Sequence, residues 1–62
     1  MREYVFNVRC YDARSNKFFG KKYSVYGTNE KDAFIRATLA VYDNLTRSTT
    51  LDSIQLVTII ER

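Results

Sequence analysis

A chain of 62 residues with one cysteine, no histidine and a net charge of +3 makes one domain. It has no internal disulfide, and it lacks the His residues or clustered Cys that a zinc site uses. A domain this short buries only about 60% of its unfolded surface, so a well-packed core or association must supply the rest of its stability.

The charge is uneven. Residues 1–27 hold six basic side chains (Arg2, Arg9, Arg14, Lys17, Lys21 and Lys22) against Glu3 and Asp12, a balance of +4. Residues 28–62 hold four basic side chains against five acids, a balance of −1, so the basic character belongs to the N-terminal half. No apolar run approaches the roughly 20 residues of a membrane span, and no signal-like segment opens the chain. With a lone thiol, this suits a reducing, cytoplasmic setting.

Met1 to Tyr11 reads as a strand. Tyr4, Phe6, Val8 and Cys10 alternate with Val5, Asn7, Arg9 and Tyr11, and the first set is the expected core face. Asp12 to Lys17 is a polar turn of residues whose side chains bond the local backbone, and it reads as the loop of a hairpin. Phe18 to Tyr26 is the second strand, with Phe19, Tyr23 and Val25 on one face and Phe18, Lys22, Ser24 and Tyr26 on the other. Gly20 interrupts it and marks a bulge or a close contact. Lys21 falls on the core face, so either the register shifts at Gly20 or this end projects beyond the core. The lysines suit an edge strand, where charge discourages unwanted pairing.

Gly27 turns the chain into a helix from Thr28 to about Leu45. Thr28 and Asn29 are capping residues, and Glu30 and Asp32 place negative charge in the first turn, where the helix dipole favours it. At about 100° per residue, Ala33, Phe34, Ala37, Ala40, Val41 and Leu45 form one apolar face, while Ile35, Leu39 and Tyr42 form a second stripe on another side. A helix on a three-stranded sheet cannot bury both. The second stripe is therefore exposed, covered by the 46–50 loop or a chain end, or covered by another chain. After the polar loop Thr46 to Thr50, residues Leu51 to Arg62 form the last strand. Ile54, Leu56, Thr58 and Ile60 are expected on one face and Gln55, Val57 and Ile59 on the other, open face.

The order β-β-α-β predicts an α+β domain. The helix crosses over between strands two and three and makes them parallel, so strand one fits between them, antiparallel to both, in sheet order 2-1-3. One helix covers one face of the three-stranded sheet.

No catalytic constellation emerges. There is no His for general-base work, no Gly-rich phosphate loop and no paired acids at a recognisable spacing, and Cys10 sits mid-strand on the core face. No catalytic, cofactor-binding or metal-binding residue is assigned, and the chain is expected to be a non-enzymatic binder. The first expectation is a protein-binding surface of Ile35, Leu39, Tyr42, Val57 and Ile59, with self-association into a homo-oligomer, a dimer being favoured. The second is nucleic-acid binding through Arg9, Tyr11, Lys22 and Tyr26 on the open face, with Arg14 and Lys17 in the hairpin loop. There, basic groups would neutralise phosphates and aromatics would stack on unpaired bases.

Two strands, then a helix opening with Thr28-Asn29-Glu30-Lys31-Asp32-Ala33, then a strand, is a layout similar to that of small phage-encoded host-interaction proteins, such as phage inhibitors of host RNA polymerase and anti-CRISPR proteins. The resemblance spans most of the chain and is architectural, with no residue motif to carry over. It implies an inhibitor or adaptor that binds and blocks a larger host protein or complex.

Overall fold

The structure, a computed structural model, describes residues 2–61. Strands β1 (Arg2–Asp12) and β2 (Lys17–Gly27) form a hairpin, followed by helix α1 (Glu30–Asp43) and strand β3 (Thr49–Glu61). The three strands make one antiparallel sheet in the order β2-β1-β3, with α1 on one face. This is the expected α+β layout. Met1 and Arg62, expected at the ends of the first and last strands, lie outside the described residues.

β1 is the spine of the domain. Its even-numbered side chains Tyr4, Phe6, Val8 and Cys10 are all buried, as their alternation predicts. They meet Ala33, Ala37 and Val41 on the helix, which recur every four residues and so lie along one line of it. The small alanines let α1 approach β1 closely near Tyr4 and Phe6, while Val41 fills the space over Val8 and Cys10. Val25, Tyr23, Leu51, Ile54 and Leu56 pack around this core and are half-buried.

The half-burial has a geometric cause. A 14-residue helix is about 21 Å long, whereas strands of 11–13 residues run to about 36–43 Å, so α1 covers only part of one sheet face. The molecule is correspondingly long and thin, 39 × 17 × 14 Å.

The N-terminus of α1 is closed by a reciprocal cap. The Asn29 side chain accepts from the Asp32 N–H (2.8 Å), and the Asp32 carboxylate accepts from the Thr28 N–H (3.1 Å). The Thr28 N–H, ahead of the Arg36 guanidinium, holds the Asp32 carboxyl below its ordinary value. Asp12 closes the hairpin in the same way. It accepts from the Arg14 N–H (3.0 Å) and the Ser15 hydroxyl (3.1 Å), and that backbone bond is the main cause of its lowered pKa. Asn16 takes the left-handed conformation (φ 57°) that a short polar side chain tolerates.

Three sequence expectations are corrected. Gly20 marks no bulge, because β1 and β2 pair without interruption from Arg2↔Gly27 to Asp12↔Lys17. Lys21 therefore does lie on the helix side, opposite Val8, and stays exposed. The bulges are on β3 instead. Its pairing with β1 jumps from Val5↔Thr58 to Phe6↔Leu56, leaving Val57 over, and from Arg9↔Ser53 to Cys10↔Leu51, leaving Asp52 over. Each extra residue reverses the alternation, so Ile59, expected on the open face, lies on the helix side beside Tyr4. Thr58 and Ile60, expected on the core face, lie on the open side beside Val5 and Glu3. Phe34 is the third case. Expected in the core, it is 42% exposed and lays its ring edge-on against Phe6 at 6.1 Å.

Candidate functional site

Among the described residues no group of three or more His, Cys, Asp or Glu could hold a metal ion, and no helix is long and apolar enough to cross a membrane. Cys10 is 3% exposed and packed with Val8 and Val41. Two surfaces gather chemistry.

The first is the outer pole of α1. Taking Ala33, Ala37 and Val41 as the sheet-facing line, Ile35, Leu39 and Tyr42 fall about 140–160° away from it, on the side farthest from the sheet. They are 50%, 61% and 57% exposed. Neither the loop nor a described chain end covers them. The loop is tied elsewhere, its Ser48 carbonyl accepting from the Ala13 N–H (2.7 Å) and its Thr46, Ser48 and Thr49 hydroxyls bonding to one another. Lys31 and Thr38 flank the stripe on one side and Arg36 and Asp43 on the other, which gives an apolar strip with a polar rim. Arg36 is held in place by its contact with Asp32 (3.1 Å).

Val57 and Ile59, grouped with that stripe in the sequence expectation, do not join it. Val57 is the bulged residue of the free β3 edge and Ile59 lies two residues beyond, on the helix side of the same edge. They are 47% and 39% exposed. Ile60, 39% exposed, lies on the opposite, open face of the same edge.

The other surface is on the open sheet face. Register places Arg9 beside Gly20, Tyr11 beside Phe18, and Lys22 beside Asn7. The Arg9 guanidinium lies 4.1 Å above the Phe18 ring, and that ring is 5.0 Å from Tyr11. Because Gly20 has no side chain, a shallow depression opens between Phe18 and Lys22, lined also by Asn7, Arg9 and Gln55. Phe18 is the hub here and was not singled out as a site residue. Its position opposite Tyr11 follows only once the hairpin register is known.

Of the six residues suggested for nucleic-acid contact, the fold brings Arg9, Tyr11 and Lys22 around Phe18. Arg14 and Lys17 lie at the adjoining hairpin. Tyr26 stands apart, opposite Glu3, eight residues along β1 from Tyr11 and so about 27 Å away. The cluster is partly spoken for: Asp52 is 3.6 Å from Arg9, and the Tyr11 hydroxyl donates to the Asn16 side-chain oxygen.

Comparison with protein-family models, with curated proteins and with solved structures gives no match.

Proposed function

We propose that the chain is a non-enzymatic protein-binding module that docks through the outer pole of α1. The observation that carries this is the exposure of Ile35, Leu39 and Tyr42 on the side of the helix opposite its buried line. A surface helix with one partner sheet needs a single apolar stripe, and a second one adds nothing to the fold. An amphipathic stripe laid into a groove of another protein is a recurrent mode of recognition, with anchors spaced as these are. Tyr42 joins an apolar ring to a polar tip, a combination enriched at interfaces. The similarity of layout to small phage-encoded host-interaction proteins extends the proposal to an inhibitor or adaptor that occupies a surface of a larger protein.

The test is a Leu39→Glu/Tyr42→Glu double variant. It should keep the wild-type thermal midpoint and lose the protein that wild type retains from a cell extract. An unfolded variant would mean that the stripe is core.

A second reading, nucleic-acid binding, is supported by the Arg9–Phe18–Tyr11 stack with Lys22, Arg14 and Lys17 nearby. It predicts affinity for single strands that falls with added salt and disappears in an Arg9→Glu/Lys22→Glu variant. It ranks below the first because Arg9 already faces Asp52 and Tyr26 is remote from the cluster.

A further inference from the structure

The sheet has two free edges, and they differ. β2 carries Lys17, Lys21 and Lys22, charges that keep an edge strand from pairing. Between Asp52 and Glu61, β3 runs Ser-Ile-Gln-Leu-Val-Thr-Ile-Ile, with no charge and no proline. Its flanking acids face arginines of its own sheet, Asp52 with Arg9 (3.6 Å) and Glu61 with Arg2 (2.9 Å). The β3 edge has its two bulges but no charge between Asp52 and Glu61 to discourage pairing, and Val57, Ile59 and Ile60 are exposed along it.

The facing of the β3 side chains that pair regularly with β1 keeps a symmetry despite the two bulges. With β1 as the ruler, Leu51, Ile54, Leu56 and Ile59 lie on the helix side, opposite Cys10, Val8, Phe6 and Tyr4. Thr50, Ser53, Gln55, Thr58 and Ile60 lie on the open side. Gln55 is the midpoint of Thr49–Glu61. Counting outward from it, the helix-side residues fall one place away (Ile54 and Leu56) and four places away (Leu51 and Ile59) in both directions. Five places away, Thr50 and Ile60 are both on the open side. A strand without bulges would also read alike in both directions, but two bulges on one side of the midpoint would not. Here Asp52 and Val57 fall on opposite sides of Gln55, three and two places away, and the pattern survives at one, four and five places.

We infer that β3 pairs with the β3 of a second copy, antiparallel and centred on Gln55. The product is a continuous six-stranded sheet, β2-β1-β3-β3-β1-β2, with both helices on one face. This is the self-complementary contact that a two-fold dimer requires. Ile54 then lies opposite the second copy's Leu56 and Leu51 opposite its Ile59, so the half-buried helix-side row of each chain is covered by the other. A centre between Leu56 and Val57 would also match faces over residues 53–60. It would, however, set Asp52 against the second copy's Glu61 at both ends, and like charges directly opposite are unfavourable. Centring on Gln55 sets Asp52 against Thr58 and Glu61 against Thr49, and it engages all 13 residues. The outer pole of α1 stays free on both copies, so this dimer is independent of the docking proposed above.

The test is sedimentation of the full chain over a range of concentrations, for wild type, Gln55→Lys and Leu39→Glu. Wild type and Leu39→Glu should sediment as dimers. Gln55→Lys, which opposes two ammonium groups at the two-fold axis, should be a monomer with wild-type circular dichroism. If Gln55→Lys fails to fold, Val57→Lys at the exposed bulge takes its place. A wild type that stays monomeric throughout would overturn the proposal. So would a dimer that survives the lysine at position 55 or 57, or one dissociated by Leu39→Glu instead. Only the last of these outcomes bears on the helix stripe, which it would make the self-association surface; the others leave its protein-binding role to the double variant.

Discussion

Gly27 lies so close to the first turn of α1 that a Cβ on it would stand 3.0 Å from both the Cβ and the backbone N of Ala33. Its φ is not positive, so it is the approach of the helix, not the backbone conformation, that requires glycine here. Gly20 is the contrast, since a Cβ there would meet only the Val8 carbonyl oxygen, at 3.7 Å. Gly27→Ala should therefore destabilise the domain by about 1–3 kcal/mol, as overpacking does. Gly20→Ala should be stabilising by about 0.4–1 kcal/mol, because it restricts the unfolded chain at no steric cost. Denaturant midpoints of the two single variants check both.

The two apolar stripes of α1 make opposite predictions. Val41 is buried between Val8 and Cys10, and Val41→Ala should cost about 2 kcal/mol through lost burial and the cavity left behind. Leu39, two residues away and 61% exposed, should tolerate Leu39→Ala to within about 0.5 kcal/mol. Both variants are read by the same chemical denaturation. A large loss at Leu39 would make the outer stripe part of the core.

Acid should weaken the fold through Asp12 and Asp32. Both carboxyls are held below the ordinary 3.8, chiefly by the backbone N–H groups of Arg14 and Thr28, respectively. As pH falls towards 3.8 the unfolded chain takes up these protons before the folded one does. The stability they contribute is therefore full well above 3.8 and is lost as pH drops through the lowered folded values. Thermal midpoints measured from neutral pH down to acid should fall in that window. Asp12→Asn and Asp32→Asn should each flatten the fall, since an amide oxygen can still accept the N–H bond without titrating.

Cys10 should be silent in the native state. Its thiol is 3% exposed between Val8 and Val41, so a thiol reagent should label it only through unfolding. The labelling rate should rise steeply with denaturant, and fast labelling without denaturant would contradict the packing of β1 against α1.

Much of this fold was legible in the chain because β1 and β2 keep strict alternation. Tyr4, Phe6, Val8 and Cys10 could be assigned to one face, and Phe19, Tyr23 and Val25 with them, since no extra residue interrupts their pairing. The second helical stripe was legible for a similar reason, because residues at 35, 39 and 42 share one side of any α-helix. What failed was β3 beyond Leu56. A bulge is decided by which β1 residue faces which, a long-range choice that the local run Leu-Val-Thr-Ile-Ile does not encode. The Phe18 hub was missed for a related reason. It meets Tyr11 and Arg9 across a hairpin whose register depends on how Asp12 and Asn16 fold the loop.

The most direct test of the proposed role sets the two surfaces against each other in one capture experiment. Wild type, Leu39→Glu/Tyr42→Glu and Arg9→Glu/Lys22→Glu, matched for thermal midpoint, are immobilised and exposed to cell extract with and without nuclease. If the helix stripe is the docking surface, wild type and the Arg9/Lys22 variant retain the same protein, the Leu39/Tyr42 variant loses it, and nuclease changes nothing. Retention that survives the helix substitutions but disappears with nuclease or with the Arg9/Lys22 substitutions would contradict the account and move function to the open face of the sheet.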